Sequence, residues 1–260
     1  MRNGIEGEPL VTRPRKLIPR VWKKLRSLRL VDRRFPEVFE EALALQEVFT
    51  RCEVDAVFDV GANEGQFRRR VERLGFRGKV ISFEPDPDCV AVLTAASKGD
   101  PNWIIEPYGL GDAEGSLILN RTKASGMNSF LQPTSGSGTG FEAWMEVKGR
   151  VEVPVRRLDA EIERLQNTHD FKRPFLKMDT QGYDAAVIRG AGTELQRFVG
   201  LQTEMSIRPF YEDMPTMVEH LDLLMKRGFC PISIFKSGAF PPLRVSEMDG
   251  VFVRSDLQGN

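Results

Sequence analysis

The most constraining feature of the sequence is the segment VFDVGANEG, which spans residues 57–65. An apolar run typical of a buried strand leads directly into a turn that contains Gly61 and Gly65, and a helical pattern follows. Glycine is expected here because the turn needs unusual φ values, and because a ligand must approach the backbone closely. A strand, a glycine turn and a helix in this order predict the first βα unit of a parallel sheet.

Strand and helix patterns alternate after this segment, which predicts a doubly wound α/β domain with a mostly parallel sheet and helices on both faces. The predicted strands are 56–60, 79–83, 103–110, 116–120, 151–156, 175–178, 201–205, and a terminal hairpin of 230–235 with 250–254. The predicted helices are 39–49, 65–74, 88–96, 183–189 and 215–227. A Ser/Gly-rich stretch at 125–140 interrupts the rhythm and is typical of a lid, a substrate loop or a disordered segment.

The N-terminal segment differs from the rest in charge. Residues 13–34 contain ten Lys or Arg and one acidic residue, with apolar residues recurring at helical spacing. Such a helix can dock on the domain, lie on an anionic membrane surface or touch a polyanionic partner, and these alternatives stay open. We therefore divide the chain into a basic helical extension, residues 1–50, and a main domain, residues 51–260.

Composition excludes several classes of protein. The 37 basic and 37 acidic residues balance, which argues against a surface built for nucleic acid. Three separated cysteines without a CxxC pair indicate reduced thiols, and two histidines argue against a histidine-rich metal centre, so we predict no metal. No apolar run reaches the ~18 residues of a membrane span, and no signal peptide is evident. The expected location is cytoplasmic, with peripheral contact at the inner membrane surface through residues 13–34 left open.

The second predicted strand, KVISFEPD, ends in Glu84, 25 residues after Asp59. In an open α/β sheet the ligand lies beyond the carboxyl ends of the central strands. A carboxylate at this position can accept two hydrogen bonds from a ribose diol, which predicts a cofactor that contains adenosine. Dinucleotide sites use GxGxxG, whereas this turn reads GANEG and carries Asp59 and Glu64. Two carboxylates repel a diphosphate but suit the ammonium and sulfonium charges of S-adenosylmethionine.

Six blocks in order resemble the FkbM-type methyltransferase family from Val57 to about Arg254: VFDVGANEGQF, VISFEPDPD, YGLGDAEGSLILN, VPVRRLDAEI, FLKMDTQGYDAAVIRGA and LQTEMS. The resemblance implies a class I, Rossmann-like methyltransferase fold with a seven-stranded sheet whose last strand is antiparallel. It also implies methyl transfer from S-adenosylmethionine to a hydroxyl oxygen of a small molecule, sugar or glycolipid. The chain departs from the family at Gln181 or Asp184, where the family commonly has Glu.

The candidate site residues follow from these blocks. For the cofactor they are Asp59, Gly61, Ala62, Asn63, Gly65, Glu84, Pro85, Leu110, Gly111 and Asp112. For catalysis they are Asp179 and Glu204, which end the fourth and fifth strands of the predicted parallel sheet. Either can be the base that takes the acceptor proton, and the pair can also orient the acceptor, hold a divalent cation or serve only structure. Lys177 is expected to pair with a carboxylate, and Tyr211 to form an aromatic wall over the acceptor.

Three alternative functions fit the sequence less well. A nicotinamide-dependent oxidoreductase would need GxGxxG and a Tyr/Lys or Cys/His set, and the sequence supplies neither. An inactive methyltransferase-like binding module conflicts with the intact acidic and glycine positions. Nucleic-acid methylation is disfavoured by the balanced charge and by the absence of an Asn-Pro-Pro-Tyr type motif. Methylation of nitrogen and of peptide hydroxyls stays open.

Overall fold

The computed structural model describes residues 36–134, 143–237 and 245–257. The chain divides into two compact units, residues 1–39 and 40–260. In the first unit the structure describes only residues 36–39, which form the first turn of a helix. The predicted basic helix at 13–34 lies outside the described residues. In the described parts of the chain, no helix combines the length and apolarity needed to cross a membrane.

The described residues contain ten strands and six α-helices. The strands are β1 Ala56–Val60, β2 Lys79–Phe83, β3 Trp103–Glu106, β4 Gly109–Gly111, β5 Gly115–Thr122, β6 Val147–Arg157, β7 Pro174–Met178, β8 Gly200–Ser206, β9 Phe229–Lys236 and β10 Glu247–Arg254. The helices are α1 Pro36–Arg51, α2 Gln66–Arg73, α3 Pro87–Ser97, α4 Leu158–His169, α5 Asp184–Ala191 and α6 Met217–Lys226.

The main sheet has seven strands in the order β3-β2-β1-β7-β8-β10-β9. The five strands from β3 to β8 are parallel, and β10 is antiparallel to both of its neighbours. This arrangement confirms the predicted doubly wound, mostly parallel α/β fold with an antiparallel last strand. The register places Asp59 opposite Lys177, and Glu204 opposite Asp249. The carboxyl ends of β1, β2, β7 and β8 therefore share one edge of the sheet.

Helices cover both faces of the sheet, which is why residues on both faces of the central strands are buried. All five residues of β1 are buried. Phe58 packs edge-on against Phe171 and Phe198 on one face, and α4 and α5 add their apolar residues to the same core. On the other face, Phe175 of β7 packs against Phe49 of α1, with ring centroids 5.2 Å apart. The buried faces hold the strand ends, and so the site, in place.

One predicted strand is wrong. The run 103–110 forms two strands, β3 in the main sheet and β4 in a separate three-stranded sheet of order β4-β6-β5. Pro107 lies at the break, where it has no N–H to donate to the ladder. The two predicted extra strands are present as β5 and β6 of this second sheet. Sequence reasoning also missed α4, although Leu158, Ile162 and Leu165 have the spacing of a helix face.

Candidate active site

The glycine turn follows β1 and has the backbone conformation that the sequence predicts. Gly61 has φ +75° and Gly65 has φ +81°. A Cβ atom on Gly61 would lie 2.1 Å from the carbonyl oxygen of Asp179, and one on Gly65 would lie 2.6 Å from the Trp103 ring. The glycines are thus required by neighbours within the chain. Of the two predicted reasons, the positive φ values confirm the need for an unusual backbone conformation, whereas the close neighbours are protein atoms and not a ligand.

Glu84 ties the turn to the end of β2. Its Oε2 accepts a hydrogen bond from the Asn63 backbone N–H at 2.7 Å, and its Oε1 accepts one from the Asp86 N–H at 2.9 Å. Burial raises the pKa of Glu84 to about 7, although the two N–H donors favour the ionised form. A carboxylate oxygen has two lone pairs, so each oxygen can still accept a second hydrogen bond. Glu84 therefore retains the capacity to bind a diol.

Asp59 has a different environment from the one expected. It is fully buried, and its Oδ1 lies 3.1 Å from the Lys177 ammonium. Burial opposes the charge of Lys177, but Asp59 and then Asp179 outweigh it and raise the lysine pKa. The expected pairing of Lys177 with a carboxylate is confirmed. Because Lys177 balances Asp59, and Glu64 is exposed, the electrostatic preference of the turn for a cation is weaker than the sequence predicted.

A cavity of about 300 Å³ lies between the start of α3 and the loop that follows β5. Asp86, Cys89 and Asn128 are among the residues that line it. We call residues 125–131 of this loop the strap. The Asn128 amide donates to Asp86 Oδ2 at 2.9 Å, and the Cys89 thiol donates to the Asn63 side chain at 3.3 Å. The strap therefore contacts the same corner of the domain as the turn and Glu84.

Leu110, Gly111 and Asp112 lie beside α5 instead. Leu110 is buried in the core, and the Asp112 carboxylate pairs with Arg189 at 2.9 Å. A Cβ atom on Gly190 would lie 1.8 Å from the Gly111 carbonyl oxygen. These contacts are with the last turn of α5, because the chain leaves the main sheet after Pro107. The contacts that the structure gives these three residues thus differ from those that join the turn to Glu84.

The predicted catalytic pair lies at the carboxyl edge of the sheet. Asp179 directly follows β7, and Glu204 lies near the end of β8. The Gln181 side chain bridges them, with its Nε2 2.9 Å from Asp179 Oδ1 and 3.3 Å from Glu204 Oε2. Lys177 Nζ lies 3.6 Å from the other oxygen of Asp179. The two carboxylates therefore form one connected polar group.

Two further carboxylates, Glu247 and Asp249 of β10, face this pair. Burial raises the pKa of Glu247 to about 8 and that of Asp249 to about 7. Burial also raises the pKa of Glu204 well above its usual range, and Glu247, Asp179 and Asp249 add to the effect through their charges. Sequence reasoning missed both β10 residues, because the pairing of Asp249 with Glu204 depends on a long-range antiparallel register.

The sequence model described as Methyltransferase FkbM domain matches residues 59–230, which contain the turn, Glu84 and the acidic pair. The chain belongs to the FkbM methyltransferase family. The predicted S-adenosylmethionine-dependent methyltransferase is thereby confirmed, with S-adenosylmethionine as the cofactor. No curated protein matches the sequence.

Solved methyltransferases are similar to this chain in fold. The FkbM methyltransferase of Methylobacillus flagellatus KT is 15% identical, with a TM-score of 0.43, and the match covers 90% of this chain and 59% of that one. Fibrillarin of Aeropyrum pernix, solved with natively bound S-adenosyl-L-methionine, is 10% identical, with a TM-score of 0.42 and coverage of 76% and 66%. An rRNA methylase of Streptococcus thermophilus is 11% identical, with a TM-score of 0.44 and coverage of 84% and 96%.

One feature of this chain fits the binding of S-adenosylmethionine. The buried Glu84 carboxylate has unused lone pairs on both oxygens, and ribose hydroxyls are donors that match them. Among the described residues, no group of three or more His, Cys, Asp or Glu is arranged to hold a metal ion.

Tyr211 is buried and does not form the predicted aromatic wall over the acceptor. It is 1% exposed and packs in a small apolar cluster with Met145, Phe210 and Met214. Its hydroxyl donates to the Met127 carbonyl oxygen of the strap at 3.0 Å and lies 3.1 Å from Gln181 Oε1. The side chain thus joins the strap to the acidic pair, because the RPFYEDMP segment folds inward beneath the strap.

Asp184 has a structural role. Its Oδ1 accepts from the Thr180 N–H at 2.8 Å, and its Oδ2 accepts from the Thr203 hydroxyl at 2.6 Å. The side chain is 3% exposed. Asp184 therefore fastens the end of β7 to β8 on the face opposite Glu204. Of the two candidate positions for the departure from the family, Gln181 is the one whose side chain contacts both carboxylates of the acidic pair, whereas Asp184 accepts from the Glu204 backbone N–H at 3.3 Å.

Proposed function

We propose that this methyltransferase transfers a methyl group to a hydroxyl oxygen of a small molecule, sugar or glycolipid. The observation that carries the proposal is the connected pair of Asp179 and Glu204 at the carboxyl edge of the sheet. S-adenosylmethionine supplies an activated methyl group on a sulfonium leaving group. The protein must align the acceptor oxygen and remove its proton. Asp179 is the proposed base, because its side chain is 46% exposed and so accessible to an acceptor.

The proposed cofactor residues lie at the corner formed by the turn and the end of β2. Glu84 accepts the ribose hydroxyls. Gly61, Ala62 and Asn63 present their backbone at the carboxyl end of β1, and Gly65 begins the helix behind them. Pro85 continues from Glu84 toward the cavity. Asp59 acts through Lys177, which it holds beside Asp179. The roles predicted for Leu110, Gly111 and Asp112 stay predictions.

The carboxyl groups around Asp179 support a neutral acceptor that is rich in hydroxyl groups. Glu204, Glu247 and Asp249 lie beside Asp179, so several carboxylates face the same region. Hydroxyl groups can donate to and accept from carboxyl groups, whereas the phosphates of nucleic acid only accept and are repelled by every carboxylate that is ionised. This favours a sugar-like acceptor and disfavours nucleic acid. An amine acceptor is also compatible with carboxylates, and the assay below distinguishes it.

Transfer of labelled methyl from S-adenosylmethionine to a panel of acceptors tests the proposal. The panel contains sugars, glycolipids, hydroxylated small molecules, amines and RNA, and mass spectrometry locates the new methyl group. We expect an O-methylated sugar or small molecule. Methylation only at nitrogen or only of RNA would overturn the proposed acceptor class.

Asp179→Asn tests the proposed base. Turnover should fall by about 10²- to 10⁴-fold, because the amide cannot accept the acceptor proton. The dissociation constant for S-adenosylmethionine, measured by isothermal titration, should stay within about twofold, within the ordinary scatter of a surface substitution. Asp222→Asn, on the exposed side of α6, is the matched control. Full turnover by Asp179→Asn would remove Asp179 as the base.

We also propose a cytoplasmic enzyme, with residues 13–34 as its contact with anionic membrane surfaces. Ten basic residues in this segment supply the attraction. Co-sedimentation of the full chain with vesicles that contain phosphatidylserine tests the contact. Lys23→Glu combined with Lys24→Glu should reduce binding. Equal sedimentation of both proteins, or none of either, would overturn it.

A further inference from the structure

Gln181 is held in an unusual conformation by two neighbouring segments. Its φ is +53°, a region that residues other than glycine and asparagine rarely occupy. The Ser129 hydroxyl of the strap donates to the Gln181 carbonyl oxygen at 2.7 Å. The Tyr211 hydroxyl lies 3.1 Å from the side-chain Oε1. Both the backbone and the amide of Gln181 are thereby fixed.

The fixed amide directs its nitrogen at the two carboxylates. Asp179 Oδ1 and Glu204 Oε2 are carboxylate oxygens, which accept hydrogen bonds, so the amide turns its nitrogen toward them. The single Tyr211 hydroxyl hydrogen is shared between the Met127 carbonyl oxygen at 3.0 Å and Gln181 Oε1 at 3.1 Å. The oxygen end of the amide therefore faces Tyr211, and Nε2 faces Asp179 Oδ1 and Glu204 Oε2. An amide nitrogen has two hydrogens, one for each carboxylate. Gln181 is thus a neutral double donor placed between two acids.

We propose that Gln181 is a positioning residue for methyl transfer, which holds Asp179 and Glu204 apart and leaves Asp179 Oδ2 to receive the acceptor proton. The inference rests on the proposed function, because it takes Asp179 as the base. Oδ2 is the oxygen that Gln181 does not contact, and its cationic neighbour is Lys177 at 3.6 Å. The acceptor oxygen loses its proton to Oδ2 as it bonds to the methyl carbon, and the carbon–sulfur bond breaks with its electron pair going to sulfur.

The charges around Glu204 explain why this position requires a neutral donor. Glu204 faces Glu247 and Asp249 from β10 and Asp179 from β7, and Ser237 after β9 donates to its Oε1 at 2.9 Å. The nearby cations, Lys177 and Arg70, already pair with Asp59 and Glu41. A glutamate at 181 would add another negative charge to this group. A donor amide instead stabilises the ionised carboxylates.

The test follows the titration of Glu204, which needs no acceptor. In full-length protein saturated with S-adenosylhomocysteine, ¹³C-carboxyl NMR records the Glu204 resonance, assigned by its loss in Glu204→Gln. Gln181→Met keeps the side-chain length but removes the donor, and we expect the midpoint to rise by about half to one pH unit. Gln181→Glu should raise it by more than about one unit, because it adds a like charge. Tyr211→Phe, which frees the amide, should give a smaller rise.

Gln196→Met is the matched control, because its amide donates to the Arg227 carbonyl, which belongs to none of the proposed site groups. It should leave the Glu204 midpoint unchanged.

With an acceptor found by the labelled-methyl panel, Gln181→Met should lower kcat at least about tenfold, with no change in affinity for S-adenosylmethionine. If Gln181→Glu does not fold, Gln181→Met decides alone. An unchanged Glu204 midpoint in Gln181→Met overturns this inference even when O-methylation is intact. Failure of O-methylation with a shifted midpoint overturns the proposed function instead.

Discussion

The Glu84 carboxylate has two roles: it accepts hydrogen bonds from two backbone N–H groups, and it is the proposed acceptor for the ribose hydroxyls. The sequence predicted that Glu84 lies at the end of a strand, because an apolar run precedes it. It could not show that both oxygens also accept backbone N–H groups from Asn63 and Asp86. Those contacts depend on how the turn and the start of α3 fold back over β2. Substitution of Glu84 by alanine would thus leave two buried donors unsatisfied as well as removing the ribose acceptor.

The raised pKa of Glu84 predicts that cofactor binding depends on pH. Ribose hydroxyls bind the ionised carboxylate more strongly, so affinity for S-adenosylmethionine should be highest above pH 7 and should fall as pH drops through about 7. Glu84→Gln should bind more weakly by about 1.5–3 kcal/mol, without this pH dependence. Isothermal titration between pH 6 and 8.5 measures both.

Glu163→Gln, on the exposed side of α4, is the control for the pH series and should behave as wild type. If Glu84→Gln retains wild-type affinity and the wild-type pH dependence, Glu84 does not contact the ribose.

Strands whose ends are marked in the local sequence were predicted correctly. The bounds of β1 and β2 were predicted to the residue, because apolar runs end at polar or glycine residues. The break between β3 and β4 was missed, because apolar residues stand on both sides of Glu106 and Pro107 and obscure the interruption. The register of β10, which supplies Glu247 and Asp249, was out of reach, because it follows from packing between distant segments. The site was therefore predictable on its parallel strands and unpredictable on its antiparallel one.

The turn and the segment after β7 pack so closely that one added methyl group at Gly61 should lower the free energy of unfolding. Gly61→Ala combines a positive φ with a Cβ atom 2.1 Å from the Asp179 carbonyl oxygen. Gly99→Ala shares the positive φ, +85°, but meets nothing within 4 Å. We expect a loss of about 1–2 kcal/mol in the free energy of unfolding for Gly99→Ala. For Gly61→Ala we expect at least about 1–3 kcal/mol more.

Urea unfolding of the two variants measures the difference, and Gly99→Ala corrects for backbone strain. Equal losses would show that the turn and the Asp179 backbone can move apart freely, and that the turn does not fix the base.

At the scale of the molecule, zero net charge conceals a strongly uneven distribution. The 37 acidic residues balance the 37 basic ones, yet Glu204, Glu247 and Asp249 lie together beside Asp179. Composition gave no sign of this concentration, because it arises only when β8 and β10 pair. Such a cluster costs folding free energy when all its members are ionised. Proteins commonly accept this kind of cost at a functional site.

The cluster predicts how stability depends on pH. The pKa of Glu247 is raised from an ordinary value of 4.5 to about 8 in the folded protein. A raised folded-state pKa gives a contribution to stability that is fully present below 4.5 and is lost as pH rises through about 8. Glu247→Gln should therefore unfold at a higher temperature than wild type at pH 8.5, by roughly 2–4 °C for each kcal/mol recovered. At pH 5 the two proteins should be nearly equal.

Thermal unfolding across this pH range, with Glu163→Gln as the control, makes the comparison. A constant difference between Glu247→Gln and wild type at every pH would show that Glu247 does not titrate within the cluster.

A crystal structure of the full chain with S-adenosylhomocysteine tests the central claim most directly. We expect the nucleoside at the corner between Gly61 and Glu84, with both ribose hydroxyls about 2.5–3.0 Å from the Glu84 carboxylate oxygens. The sulfur should face Asp179. A nucleoside bound at any other place, or a ribose held without Glu84, would contradict the assignment of this corner to the cofactor.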